Sequence, residues 1–135
     1  MSSSIYPRFF VRKPEAATLT EFLIPEDAKP DQSYPLFAAL ADERNGFGVT
    51  PIAEPRHLPE EWRKEGDAFF KYANYLTLEE MLAYDWFSPE WHQLRLTIGD
   101  SYPLHEFTQH FREETLPAMQ AHAGEGEVLM AFCID

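Results

Sequence analysis

The stretch Glu127–Ile134, EVLMAFCI, decides the fold. After its leading glutamate every residue is apolar. A strand that faces water on one side alternates, whereas an unbroken run of this length fits a central strand covered on both faces. Its natural neighbours are extended segments at the other end of the chain. In Ile5–Lys13, Ile5, Phe9 and Val11 share one strand face, and Arg8 and Arg12 point the other way. Pro7 has no N–H to donate and suits a strand start or edge. A second short extended run covers Thr18–Ile24 and ends at Pro25.

The middle of the chain reads as helices and loops. Pro25–Ser33, PEDAKPDQS, is a polar loop. The sequence predicts a helix over Pro35–Arg44, started by Ser33 or Tyr34 before Pro35, striped by Leu36, Phe37 and Leu40, and stopped at Asn45-Gly46. Asn45–Pro59 carries two glycines and three prolines with no period, but Phe47, Val49, Ile52 and Leu58 argue that it docks. A short helix starts near Pro59. Thr77 and Glu80 form a capping box for a helix over Leu78–Tyr84 that buries Leu78, Met81 and Leu82. Ser88-Pro89-Glu90 repeats the start signal. A longer helix is predicted over Pro103–Glu114, with Leu104, Phe107 and Phe111 on one stripe. Pro117 then bends it or begins a new helix that stops at Gly124. The sum is an α+β fold, a small sheet of chain-terminal strands packed by several short helices, in a single domain over residues 1–135.

Composition agrees. The 135 residues are 44% apolar and 15% aromatic, which excludes a disordered chain. A chain of this size exposes about 7,300 Å² when folded and buries roughly two thirds of its unfolded surface, enough for a core without metal or disulfide staples. Cys133 stands alone, so no intrachain disulfide forms. No apolar run is long enough to span a bilayer, and the N-terminus has no signal-peptide pattern; the expected location is the cytoplasm. The net charge of −12 disfavours nucleic acid and anionic membrane as direct partners, and favours a protein partner, in particular a basic one. The charge gathers in two segments. Residues 25–67 hold ten acidic and five basic side chains, and residues 100–135 hold seven acidic side chains against Arg112. Whether folding aligns these carboxylates into a nucleic-acid-like surface is a tertiary matter.

Three groups of residues could carry chemistry. Glu106, His110, Glu113 and Glu114 lie at helical spacings and could offer a divalent metal one imidazole and two carboxylates, or simply form a solvated acidic face. No HExxH is present, since His105 and His110 are five apart. Arg44, Asn45, Arg56 and His57 flank the irregular loop. Two arginines can fork onto a carboxylate or phosphate, with His57 as acid or base, while Asp42, Glu43 and Glu54 offer local ion pairs instead. Trp86, Phe87 and Trp91 form an aromatic cluster, either an interaction surface or the closure of a small core. Nucleophile motifs, phosphate loops and CxxC are missing, and Cys133 in the central strand reads as a small apolar residue. No cofactor is implied.

The segments YPLFAALADERN (Tyr34–Asn45), PIAEPRHLP (Pro51–Pro59) and LTLEEMLAYDW (Leu76–Trp86) together resemble a family of small proteins encoded by phages, prophages and bacteria, and the closing LMAFCID resembles the family's apolar last strand. The resemblance covers about half of the chain. It implies a shared scaffold and an origin in a phage or mobile element, and it implies no activity. His57 stands where the family has glycine. Lys71–Tyr75 replaces a segment in which the family often carries histidine and serine, so any chemistry of that histidine is lost here. Helix-start and turn residues match better than reactive groups, which favours a shared scaffold over a shared catalytic site. The functional expectation is a small acidic protein that modulates or inhibits a host protein by non-catalytic contact. The alternative is a small enzyme or a binder of an anionic small molecule built on Arg44, Asn45, Arg56 and His57.

Overall fold

The apolar run becomes β6 (Glu127–Ile134), paired antiparallel with β1 (Ile5–Arg12) along its whole length, from Ile5 opposite Ile134 to Arg12 opposite Glu127. The computed structural model describes residues 2–15 and 18–135. β2 (Thr20–Phe22) pairs with the far side of β1, Phe9 opposite Phe22. Pro7 lies outside the stretch that β2 covers, so its missing N–H interrupts nothing there. On the other side of β6 sits β3 (Asn74–Thr77), Leu76 opposite Met130. The order is β2-β1-β6-β3. The sheet therefore takes one strand from the middle of the chain, where the sequence had suggested terminal strands only.

Both faces of β6 are covered. Val128, Met130 and Phe132 join Phe9, Val11 and Leu76 against the helices. Leu129 and Ala131 join Phe10 against Leu58, Phe70 and Ala73. Each valine, leucine, methionine or phenylalanine so buried contributes about 1.5–3 kcal/mol. The second face is closed by a 3-10 turn at Glu60–Trp62 and by α2 (Ala68–Tyr72), capped by Asp67, which accepts the Phe69 N–H. Arg8 lies on this face against the Phe69 and Phe70 rings, and its guanidinium reaches Glu21 at 2.7 Å and Asp67 at 2.9 Å. These bonds raise the Arg8 pKa against the opposing effect of burial, and they hold the Glu21 and Asp67 carboxyls below the ordinary range.

The first face is closed by α1 (Tyr34–Ala41), α3 (Leu78–Ala83) and a helical run over residues 104–120. Ser33 caps α1, and its hydroxyl also donates to the Phe107 carbonyl at 2.6 Å. α1 ends earlier than Arg44, because Asp42 and then Arg44 take φ of 56°. The Thr77–Glu80 capping box is formed as the sequence indicates, but Leu82 remains 45% exposed. Ser88 makes no side-chain cap over the 3-10 turn at Pro89–His92.

The 104–120 run is wound unevenly. It begins as a 3-10 helix at Leu104–Thr108, passes through a π turn at Phe111–Thr115, and finishes as α4 (Leu116–Gln120). In the π turn the Leu116 N–H reaches back five residues to the Phe111 carbonyl. The wider turn relaxes the backbone where Pro117, lacking an N–H, would crowd a regular helix. Pro117 stands in the first turn of α4, where its missing N–H costs little, and α4 ends at Gln120, short of Gly124.

Between these elements stands a second sheet, formed by a segment that carries no strand in the sequence-based expectation. β4 (Leu94–Thr97) and β5 (Asp100–Pro103) form a two-stranded antiparallel hairpin, Leu94 opposite Pro103 and Thr97 opposite Asp100, turned at Ile98-Gly99 with Gly99 at φ 81°. The whole is one α+β domain, and no helix is long and apolar enough to cross a membrane.

Candidate functional site

The cations flanking the irregular loop are already engaged. Arg44 donates to the Ser3 hydroxyl at 3.0 Å and lies over the Tyr34 ring. Asn45 closes its own loop: its amide NH₂ donates to Asp42 Oδ1 and to the Val49 carbonyl, each at 2.7 Å, and its oxygen accepts the Val49 N–H. Arg56 lies over the Tyr75 ring, bonds the Tyr75 carbonyl and forms an ion pair with Glu80. Glu80 is the acid of the capping box. Burial opposes its charge, but the Thr77 N–H, the Arg56 guanidinium and the Thr77 hydroxyl outweigh it, and the carboxyl stands below its usual range. His57 bridges Asn74 on the free side of β3 and points Nδ1 at the Ala73 carbonyl, 3.3 Å away. The structure thus puts Arg56 and His57 along β3 and puts Arg44 and Asn45 at the end of α1. The two arginines share none of these partners.

The aromatic cluster divides. Trp91 is fully buried and Trp86 nearly so; their indole N–H groups donate to the Tyr84 hydroxyl at 2.8 Å and to the Met81 carbonyl at 3.0 Å. The tilted stack of Trp86 on Trp91 and on Phe111 is core. This corrects the surface reading of both tryptophans, since their large apolar area is worth most where it is fully dried. Phe87 alone stays outside, half exposed, with the Arg112 guanidinium over its ring.

The acidic helical face is present but offers no metal site. Among the described residues no group of three or more histidine, cysteine, aspartate or glutamate side chains is arranged to hold a metal ion. This overturns the metal reading of Glu106, His110, Glu113 and Glu114. The imidazole and one carboxylate are already engaged by neighbours. His110 donates from Nε2 to the Lys29 carbonyl at 2.8 Å, and Gln109 donates to Glu113. The four residues instead line an open groove of about 600 Å³, completed by Asp31, Gln32 and Ser33 and by Arg95 and Thr97 of β4.

The wall of that groove is the hairpin. Arg95 points inward, its guanidinium within 5.1 to 5.8 Å of the Phe107, Phe47 and Tyr34 ring centres. The opposite face carries Leu94, Leu96 and Ile98, exposed by 67%, 83% and 106%. Spacing by two puts Leu94 and Leu96 on one side of β4, and Ile98 follows at the turn. A signal for them was present: LRLTIG alternates at period two and ends on a turn glycine. Cys133 is partly covered in β6, and burial pushes its thiol pKa up, which suits an inert packing residue.

The chain matches none of the family models, curated proteins or solved structures with which it was compared.

Proposed function

We propose that the protein acts by non-catalytic contact with another protein, and that the β4–β5 hairpin is its contact element. One observation carries this reading: Leu94 and Leu96 stand exposed on one face of a paired hairpin whose turn exposes a third large aliphatic residue, Ile98. Isolated exposed leucines are ordinary, but a contiguous apolar stripe on a rigid element is what an interface presents. Displaying it costs a hydrophobic contribution that folding leaves unclaimed. The resemblance of Tyr34–Trp86 to phage and prophage proteins fits a bacterial host protein as the target and the cytoplasm as the place. The small-molecule alternative draws little support from placement, because Arg56 is neutralised by Glu80 and the Asn45 amide is spent on its own loop.

The test is a photo-reactive side chain at Ile98, introduced in cells of the source organism. The expected result is one dominant cross-linked protein, absent when the same group replaces Tyr72, which is exposed elsewhere on the chain. Equal cross-linking from both positions, or none from Ile98, would sink the reading.

A further inference from the structure

The hairpin offers more than an apolar stripe, because one of its strand edges is open. The Leu104 N–H donates to the Gln93 carbonyl at 2.9 Å just outside the hairpin. Antiparallel pairs alternate between bonded and non-bonded, so Gln93, Arg95 and Thr97 turn their backbone groups toward β5. Leu94 and Leu96 turn theirs away from it. Among the described residues no backbone bond reaches those outward N–H and C=O groups. The far edge of β5 is poorer, since Pro103 stands opposite Leu94 and has no N–H. The four-stranded sheet has no comparable edge. β3 is flanked by His57 and by Arg56, whose carbonyl accepts the Tyr75 N–H, and β2 is three residues long.

The acidic groove lies along this same strand. Arg95 and Thr97 of β4 line it, and no residue of β5 does. A strand added to the outer edge of β4 would run over the groove. Its alternate side chains would fall beside Leu94 and Leu96 on one face and enter the groove beside Arg95 and Thr97 on the other. The groove holds four carboxylates, Asp31, Glu106, Glu113 and Glu114, against one arginine whose guanidinium already lies over three rings.

We infer that β4 takes up an extended segment of a partner protein as an added antiparallel strand, and that this segment alternates apolar residues with lysine or arginine. The inference rests on the contact role proposed for the hairpin and names its mode and chemistry. Main-chain bonds at Leu94 and Leu96 supply register, the aliphatic stripe supplies dry contact, and the carboxylates select the basic side chains. A second copy of the chain is the poorer occupant, because it brings another net charge of −12 to an acidic groove.

The experiment uses the full chain and a seven-residue peptide, capped at both ends, in which lysine and valine alternate. A control peptide of the same composition groups its lysines at one end. The alternating peptide is expected to bind at least 10-fold more tightly than the control at low salt, and to weaken as salt rises. It should slow amide hydrogen exchange at Leu94 and Leu96 by 10-fold or more. Glu106→Gln with Glu113→Gln should weaken it at least 5-fold. Leu96→Pro should abolish it, because only an outward N–H is lost. Should that variant misfold, the paired glutamine variant still decides. Equal binding of both peptides, or binding without protection of Leu94 and Leu96, overturns the inference. So does protection that rises with protein concentration alone, which would mean a second copy. A dominant cross-link from Ile98 alongside any of these results leaves the contact role standing with a different mode. Failure of the cross-link itself removes both.

Discussion

The four-stranded sheet and the β4–β5 hairpin are built from the same material and end in opposite situations. Both are antiparallel, and both carry large aliphatic or aromatic residues. In the sheet, β6 is covered above by helices and below by the 58–73 segment, and the Arg56–His57 stretch covers the free side of β3. In the hairpin only the Arg95 face is packed; Leu94, Leu96 and Ile98 meet solvent. Strand-forming residues do not by themselves specify what covers them. That is settled by which distant segment folds over each face.

The largest expected contrast between sheet and hairpin comes from a matched pair of truncations. Met130→Ala, at a fully buried position on β6, should cost about 2–5 kcal/mol of unfolding free energy. Leu96→Ala should stay within about 0.5 kcal/mol. Urea titration of both variants checks this, and equal losses would mean that the hairpin stripe is covered in solution. A second probe is the entry to β6. Gly126 has φ of 150°, and an added Cβ would sit 2.7 Å from the Arg12 carbonyl oxygen. Backbone cannot swing aside, so Gly126→Ala should lower stability by more than about 1 kcal/mol, read as a fall in Tm.

A smaller effect is expected at the capping box. Thr77→Ala removes the oxygen that accepts the Glu80 N–H and should cost about 1 kcal/mol in urea titration. The smallest is electrostatic. Glu21 and Asp67 titrate below their ordinary values because Arg8 holds their charged forms. Their stabilising contribution is therefore complete above the unfolded carboxylate range, about pH 4–4.5, and is lost as pH falls through the depressed folded values. Glu21→Gln should cost less than about 1 kcal/mol near neutrality, since the pair is solvent-screened. Glu21→Gln with Asp67→Asn should flatten the loss of stability between pH 5 and 2. An unchanged acid limb, followed by circular dichroism, would show that the Arg8 clamp does not distinguish the sheet from the hairpin.

Much of the fold was legible because it rests on local chemistry. EVLMAFCI named the central strand to the residue, Ser33-Tyr34-Pro35 marked the start of α1, and Thr77 with Glu80 marked α3. β3 and α2 were not legible. β3 is four residues long and owes its extended form to pairing with β6, while α2 is a five-residue helix held by Asp67 and by the packing of Phe70. Candidate residues fared by the same rule. The acidic face kept its four residues on one groove, but tertiary contacts turned His110 to the Lys29 carbonyl and Gln109 to Glu113. Trp86 and Trp91 were visible as a cluster, but only tertiary packing decides whether a tryptophan is buried or displayed.

The residues alone determined an acidic α+β chain with a doubly covered last strand and well-marked helix starts, because those properties follow from apolar patterning and from hydrogen bonds that span three or four positions. Tertiary structure decided the rest. It spent the loop arginines and Asn45 on neighbouring groups, dried two of the three aromatic candidates, and left β4 open beside a row of carboxylates. Such outcomes depend on which remote segments arrive at each face, and no local rule of sequence carries that information.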